Sequence, residues 1–415
     1  MNFFNYKNRE LYCEDVKIKD IADDVGTPVY IYSKKTLKRH YAVLSNAFTS
    51  IEPLICYSVK ANSNIANIAL FASMGAGADI VSGGELYRAL KAGIKADRIV
   101  YSGVGKTEEE IAYAIKENIL LFNVESIEEI DIINSVAKKL KKKARVGIRI
   151  NPDIDPQTHP YISTGLKKNK FGIDSKYAVD AYKYASSMQY LTVNGIDMHI
   201  GSQLTTVSPI VSAINRAMNL VQKINQSGIN IQYMDIGGGL GITYKDELPP
   251  VPQKYAKAIE GALANFEGKL ILEPGRVLVG NAGILVGKVL YRKYNGKKRF
   301  MIIDAAMNDL IRPSLYNAYH SIIPVKTINT KMEKQDVVGP ICESGDFFAK
   351  DRNLHLMDRN ELVAIMSAGA YGFSMSSNYN SRRRAAEVLV DGSRYNVIRR
   401  RETLQDLIRG ETLIG

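Results

Sequence analysis

Between residues 54 and 273 the chain carries eight short apolar segments of strand length, separated by stretches with helical periodicity. The strand candidates are Leu54–Val59, Ala78–Val81, Ile99–Ser102, Leu120–Val124, Val146–Ile150, Gly195–Ile200, Tyr233–Ile236 and Leu270–Glu273. Among the helical candidates are Glu108–Glu117, Ile127–Leu140, Tyr177–Ser187, Ile210–Ser227 and Tyr255–Phe266. Strands joined through helices pair in parallel, because the helix carries the chain back to the same edge. Eight such repeats fit a closed (β/α)8 barrel better than an open sheet. After residue 278 the pattern changes to Ile284–Tyr291, Arg299–Ile303, Glu361–Met366, Ala386–Val390 and Tyr395–Arg399, strands without regular helices between them. Gly296 and Asp391-Gly392 supply turn chemistry there. The expected fold is α/β plus β: a TIM barrel over 28–278, and a sandwich-like or barrel-like β-rich domain built from 1–27 and 279–415.

Length agrees with two domains, since 415 residues exceed what one core holds. The N-terminus, Met1 to Asp20, is charged throughout, and uncharged runs such as Val277–Gly287 are too short to span a bilayer. Cys13, Cys56 and Cys342 are odd in number and scattered, which argues for a reducing cytosol and against a zinc site. A soluble, cytoplasmic protein without membrane contact or metal is expected. The net charge of +12 raises the question of nucleic acid. Its densest tract, Lys138–Lys143, closes a helical pattern, where cations complement the helix end, and no aromatic residues interleave for base stacking. That tract reads as solvated surface, while the positive field favours an anionic cofactor or substrate.

Active sites of such barrels lie at the C-terminal ends of the strands. Those ends carry Lys60, Asp79 with Ser82, Asn151, His199 with Ser202, the run Gly237–Gly241, and Glu273-Pro274-Gly275-Arg276. Lys60 follows the apolar run Pro53–Val59. A strand-end lysine usually reaches solvent, but its amine is also the group that bonds carbonyl compounds, pyridoxal phosphate included. The glycine run permits close backbone approach to a phosphate, and it follows strand seven, where these barrels place one. Residue 242 is isoleucine, so a dinucleotide fingerprint is absent. Glu273 reads either as a structural carboxylate paired with an arginine such as Arg149 or as the partner of a pyridinium nitrogen. His199 is either an ordinary satisfied histidine or a ring stacked on a cofactor.

Gly103–Thr107 resembles the tail of a P-loop, but valine at residue 100 breaks the motif, and Thr107 with Glu110 reads as a capping box. Serine-hydrolase and zincin motifs are missing. The second domain offers Cys342-Glu343-Ser344-Gly345-Asp346, Tyr371 in a glycine-rich loop, and Arg312 one helical turn from Tyr316. An arginine there suits a planar carboxylate.

These residues together resemble the diaminopimelate decarboxylases, pyridoxal-phosphate decarboxylases of the alanine-racemase fold. The matching pieces are Tyr57–Asn62, Val81–Glu85, His199–Gln203, Asp235–Gly241, Glu273–Arg276, Cys342–Asp346, Ala368–Ser377 and Ser376–Ser381, in order along nearly the whole chain. Arg382–Ala386 departs from the family's proline-containing version.

The resemblance implies pyridoxal 5′-phosphate as cofactor, attached to Lys60, with His199 against the ring and Glu273 at its nitrogen. Asp79, Ser202, Gly238, Gly239, Gly275, Arg276 and Tyr371 complete the cofactor contacts. Arg276, Arg312, Tyr316, Glu343 and Tyr371 are the implied substrate contacts, and Cys342 the proton donor across a homodimer interface. The implied reaction converts meso-2,6-diaminopimelate to L-lysine and CO2, the last step of lysine biosynthesis. Rival expectations are an ornithine-, arginine- or carboxynorspermidine-type decarboxylase, an alanine racemase, and a non-catalytic homologue that binds a protein partner. Arg312, Tyr316 and Cys342–Asp346 speak against the first, Glu273 against the second, and the intact Lys60, Cys342 and glycine loop against the third. Gln157–Lys170 is expected to form a mobile lid.

Overall fold

The computed structural model describes residues 2–154 and 170–415. Residues 157–169 of the expected lid lie outside the described residues. The chain divides into two compact units: Met1–His40, Thr243–Glu247 and Leu278–Gly415 form one, Tyr41–Ile242 and Leu248–Val277 the other.

The second of these units is the barrel. Its strands are Leu54–Ser58, Gly77–Ile80, Ile99–Tyr101, Leu121–Val124, Ala144–Asn151, Leu191–Asp197, Tyr233–Asp235 and Lys269–Leu272. Each pairs in parallel with the next, and Ile271 opposite Leu54 closes the ring. All eight expected strands are therefore present, with ends moved by a few residues. The helices start where the sequence supplies caps. Ser82 and Ser126 accept from the backbone N–H three residues on, and Thr107 with Glu110 forms the reciprocal capping box. Lys106, the P-loop look-alike, is only 1% exposed at its side chain and ion-paired to Glu129 at 2.5 Å. It also donates to the carbonyls of Gly103 and Asn123, both at 2.8 Å, so it staples two loops. In the lysine tract, Lys141 is a left-handed C-cap and Lys139 pairs with Glu108 at 3.0 Å.

The first unit holds a mixed sheet. Its strand order is Phe347–His355, Met332–Val338, Lys298–Ile303, Gly283–Asn295, Val29–Ser33, Ala386–Asp391, Arg394–Arg399, with Leu362–Ile365 and Ile322–Pro324 branching from Gly283–Asn295. The sequence expectation began the barrel at residue 28. Val29–Ser33 instead hydrogen-bonds between Gly283–Asn295 and Ala386–Asp391, because its five residues are buried on both faces as only a central strand can be. Met332–Val338 and Phe347–His355 escaped the sequence reading. Both carry charged residues toward solvent, and their apolar side shows only once they pair. Beneath the sheet, Phe4, Leu11, Ile18 and Ile21 pack with Val29, Ile31, Ile284, Val286, Val388 and Val390. The basic run that departs from the family pattern is tied down: Arg382 donates to the Asp304 carbonyl at 2.6 Å, and Arg384 pairs with Glu402 at 2.5 Å. Among the described residues no helix is long and apolar enough to cross a membrane.

The barrel closes tightly at Gly77, where a Cβ would sit 2.2 Å from the Arg98 carbonyl oxygen and 2.9 Å from the Cys56 sulfur. The carbonyl belongs to the backbone and cannot swing aside. Gly77→Ala is expected to destabilise the protein by about 1–3 kcal/mol through overpacking, read as a lower urea midpoint; an unchanged midpoint would contradict the packing described.

Candidate active site

Lys60 lies in the 3-10 turn Val59–Ala61, directly after the first barrel strand. Its Nζ is 2.6 Å from Asp79 Oδ2, at the end of strand two, and the Ser58 hydroxyl donates to the same oxygen. Asp79 is fully buried, whereas the lysine side chain is 39% exposed. The amine is thus held at the barrel mouth by a buried anion and still open to a reacting molecule. Asp79, expected among the cofactor contacts, reaches the site through the lysine.

Going round the ring, strands six, seven, eight, one and two are consecutive neighbours. Their ends carry Asp197, Asp235, Glu273, Lys60 and Asp79, so the four carboxyl groups form an arc with the lysine inside it. Asp197 and Asp235 are register partners. Asp235 and Glu273 end neighbouring strands, and the charge of Asp235 opposes ionisation of Glu273. Asp235 accepts from the Gly237 N–H at 2.9 Å and from Asn123 Nδ2 at 3.1 Å, bonds that favour its anion. Glu273 accepts one bond, from the Ser102 hydroxyl at 3.1 Å. Burial, then the charges of Asp235 and Asp79, pushes Glu273 well above the carboxylate range, and burial lifts Asp235 to about 6. Of the two, Glu273 is the carboxyl that favours a proton. Arg149, the partner considered for it, is ion-paired with Glu125 at 2.7 Å and Asp197 at 3.7 Å.

His199 follows strand six and is pushed down to about 3 by burial, then by Arg149 and Lys60, so its imidazole is neutral. It packs on the glycine run. A Cβ at Gly237 would meet His199 Nδ1 at 2.3 Å, and one at Gly238 would meet the Glu273 carbonyl at 2.3 Å. Gly239, at φ 101°, would meet the Gly201 carbonyl at 2.7 Å. No side chain fits here, which leaves the backbone as the cradle surface. Beside it Arg276, only 7% exposed, donates through Nε and Nη2 to the Ser202 hydroxyl at 3.2 and 3.1 Å. The Pro274 carbonyl accepts from Ser58 N–H at 3.1 Å, which fixes the Glu273–Arg276 turn, Gly275 included, to strand one. A lysine amine, a protonated buried carboxyl and a side-chain-free loop beside an arginine fit an anionic carbonyl cofactor with a basic ring nitrogen.

In the mixed-sheet unit, Arg312 opens the short helix Arg312–Tyr316, which also carries Tyr316. The residue is 6% exposed, and its guanidinium lies 4.6 Å from the Tyr244 ring centroid. Cys342 and Glu343 are exposed at the head of a turn. The Cys342 N–H donates to Asn380 Oδ1 at 3.0 Å, and Glu343 Oε1 accepts from Gly345 N–H at 3.1 Å. Ser314 donates to the Gly345 carbonyl, tying this turn to the Arg312 helix. Asp346 points inward and accepts from Met307 and Ile341 N–H at 2.7 and 2.8 Å, a brace for the turn. Tyr371 sits at φ 54° in its loop.

Two candidates take structural roles: Ser82 caps a helix, and Asn151 bonds the Phe171 carbonyl at 3.3 Å. Three residues to which the sequence analysis gave no role, Ser102, Asn123 and Asp235, belong to the carboxyl network. They end strands three, four and seven, so the strand-end rule contained the signal.

Glu85 tests the electrostatics of this end of the barrel. Burial lifts it to about 7 although it accepts from the Val81 N–H at 2.9 Å. Its folded-state value lies above the unfolded one, so the native state holds an extra proton between roughly pH 4.3 and 7. That contribution to stability is complete below this window and is lost as pH rises through it. Glu85→Gln is expected to flatten the fall in urea midpoint across that range; equal slopes in the two proteins would refute the assignment.

Residues 34–280 match the family described as pyridoxal-dependent decarboxylase, pyridoxal binding domain. The chain is 52% identical over 407 residues to the diaminopimelate decarboxylase of Aquifex aeolicus, covering 98% of this chain and 96% of that one. It is 49% identical over 416 residues to that of Haemophilus influenzae, with both chains covered completely. Among solved structures, diaminopimelate decarboxylase from Helicobacter pylori complexed with L-lysine superposes with a TM-score of 0.91 at 44% identity, covering 94% of this chain and 98% of that one. The enzyme from M. jannaschii in co-complex with L-lysine gives 0.94 at 42% identity, covering 99% and 98%. The chain belongs to the diaminopimelate decarboxylases, carboxy-lyases that use pyridoxal phosphate.

Proposed function

We propose that this chain decarboxylates meso-2,6-diaminopimelate to L-lysine and CO2, the last step of lysine biosynthesis. The observation that carries the reading is the strand-end arc in which Lys60 stands between Asp79 and the proton-holding Glu273. Pyridoxal phosphate, when bound, supplies an electron sink for the pair released as CO2 leaves. Lys60 would hold it through its ε-amine, and Ser202, Gly238, Gly239, Gly275 and Arg276 its phosphate. Glu273 would keep a proton at the ring nitrogen, which deepens the sink. His199, being neutral, would lie against the ring without opposing that charge, and Tyr371 would close the phosphate end.

Substrate selection falls to Arg312 and Arg276 for the distal carboxylate, Glu343 for the distal ammonium, and the Tyr316 and Tyr371 hydroxyls. A substrate without the distal carboxylate would forgo these charge-assisted hydrogen bonds. Cys342 Sγ would deliver the proton to the carbon that lost CO2. The exposure of Cys342 and Glu343 in the single chain supports a homodimer in which these residues serve the partner's site. In this reading the barrel binds the cofactor, and the mixed-sheet unit contributes substrate and dimer contacts. The three free thiols, Cys13, Cys56 and Cys342, support a cytoplasmic setting.

CO2 release by the holoenzyme tests the substrate. meso-Diaminopimelate is expected to exceed ornithine, arginine and lysine by at least ~100-fold in kcat/KM; faster turnover of ornithine or arginine would overturn the reading of Arg312 and Glu343.

Two variants test the roles. Lys60→Ala should lose the bound-cofactor absorbance band. Cys342→Ala should keep that band but lose ~100-fold or more in kcat. Mixing the two inactive variants should restore part of the activity, because a mixed dimer holds one intact shared site; no recovery despite subunit exchange would exclude shared sites.

A further inference from the structure

The buried arginine assigned to the substrate carboxylate rests on a histidine outside every motif considered above. His320 is fully buried in the mixed-sheet unit. Its Nδ1 lies 2.8 Å from the Met366 carbonyl oxygen and its Nε2 3.0 Å from Arg312 Nη1. A carbonyl can only accept and a guanidinium can only donate. Both contacts are hydrogen bonds only if Nδ1 carries the hydrogen and Nε2 presents its lone pair. The geometry thus fixes one neutral tautomer, in which the ring relays a bond from the sheet to the arginine.

The far end of the relay is anchored. Met366 follows the strand Leu362–Ile365 and donates its own N–H to the Ser321 carbonyl at 2.8 Å. The His320 carbonyl accepts from Arg352 Nη1. Tyr244 packs edge-on against the His320 ring, with centroids 5.4 Å apart and planes at 76°, and the same phenol ring faces the Arg312 guanidinium. The imidazole, held as its neutral tautomer, therefore meets the guanidinium without a charge of its own. A neutral acceptor orients an arginine without cancelling the charge that a ligand carboxylate will need. It also removes rotamer freedom before the ligand arrives, which improves affinity without adding a ligand contact.

We propose that His320, as the Nδ1–H imidazole, is the positioning residue of Arg312, and that with Tyr244 it sets the direction in which that guanidinium meets the substrate's distal carboxylate. This rests on the reading of Arg312 given above, so the test separates the two. L-Lysine retains the distal carboxylate, and cadaverine is the same molecule without it. Inhibition constants of both are measured on the holoenzyme, together with KM and kcat for meso-diaminopimelate.

His320→Asn keeps a donor at the Nδ1 position for the Met366 carbonyl but is too short to reach Arg312. It is expected to weaken L-lysine about tenfold, the scale of one orienting hydrogen bond, with cadaverine affected far less, and to raise KM more than it lowers kcat. His320→Gln, which can present an acceptor to Arg312, should recover most of the lost preference. Arg312→Ala should abolish the preference for L-lysine over cadaverine. If Arg312→Ala does so while His320→Asn leaves the preference intact, the positioning role is wrong and the role of Arg312 stands. If Arg312→Ala leaves the preference intact, the reading of Arg312 itself fails, and the proposal with it. Equal weakening of both ligands in His320→Asn would mark a merely structural residue and also overturn the proposal. Should His320→Asn fail to fold, Tyr244→Leu carries the same expectation and the same ways of failing.

Discussion

Burying several carboxyl groups within one barrel mouth is the constraint on which the rest of this structure depends. Asp79, Asp197, Asp235 and Glu273 are all withdrawn from water, with Lys60 and Arg149 as the cations beside them. Leaving every carboxyl ionised would cost several kcal/mol for each charge without a partner. The barrel meets that cost in three ways. Asp79 takes the lysine, Asp197 has Arg149 at 3.7 Å although burial still pushes it well above the carboxylate range, and burial with neighbouring charge favours a proton on Glu273. The chemistry then follows from the electrostatics. An amine held by a buried anion stands next to a carboxyl that burial, then the charges of Asp235 and Asp79, disposes to stay neutral, and that pairing suits a cofactor with a carbonyl at one end and a basic nitrogen at the other.

The two compact units solve different problems. In the barrel, the candidate reacting groups are attached to strand ends whose backbones are fixed by the closed hydrogen-bonded ring, so their spacing is rigid. In the mixed-sheet unit, Arg312 and the Cys342 turn are held by braces, among them Ser314 to Gly345, Asp346 to two backbone amides, and His320. The exposed part of that turn, Cys342 and Glu343, is open while its inner part is locked. The proposed role of Cys342 as general acid would use this combination of an exposed thiol and a braced turn.

Much of the site was legible because strand ends are legible. Lys60, His199, Glu273 and the glycine run each follow an apolar segment, and the barrel rule converts that position into proximity. Ser102, Asn123 and Asp235 obey the same rule, yet polar residues at strand ends are common and nothing local marks these as partners of Glu273. His320 was not legible. Its neighbours Arg312, Tyr244 and Met366 lie up to 76 positions away in the chain, and only the packed sheet brings them to one ring. Val29–Ser33 shows the limit for elements: four apolar residues and a serine suit a buried strand but do not say which sheet will take it.

The sequence by itself determined the periodic alternation that makes a parallel barrel, the residues stationed at its strand ends, and the kind of chemistry those residues perform, because these depend on local order along the chain. Tertiary structure alone decided which carboxyl holds the proton, which anion pairs with Lys60, and which tautomer His320 adopts. Each of these depends on burial and on donors supplied by distant segments, and a charge's free energy is set by what surrounds it in space.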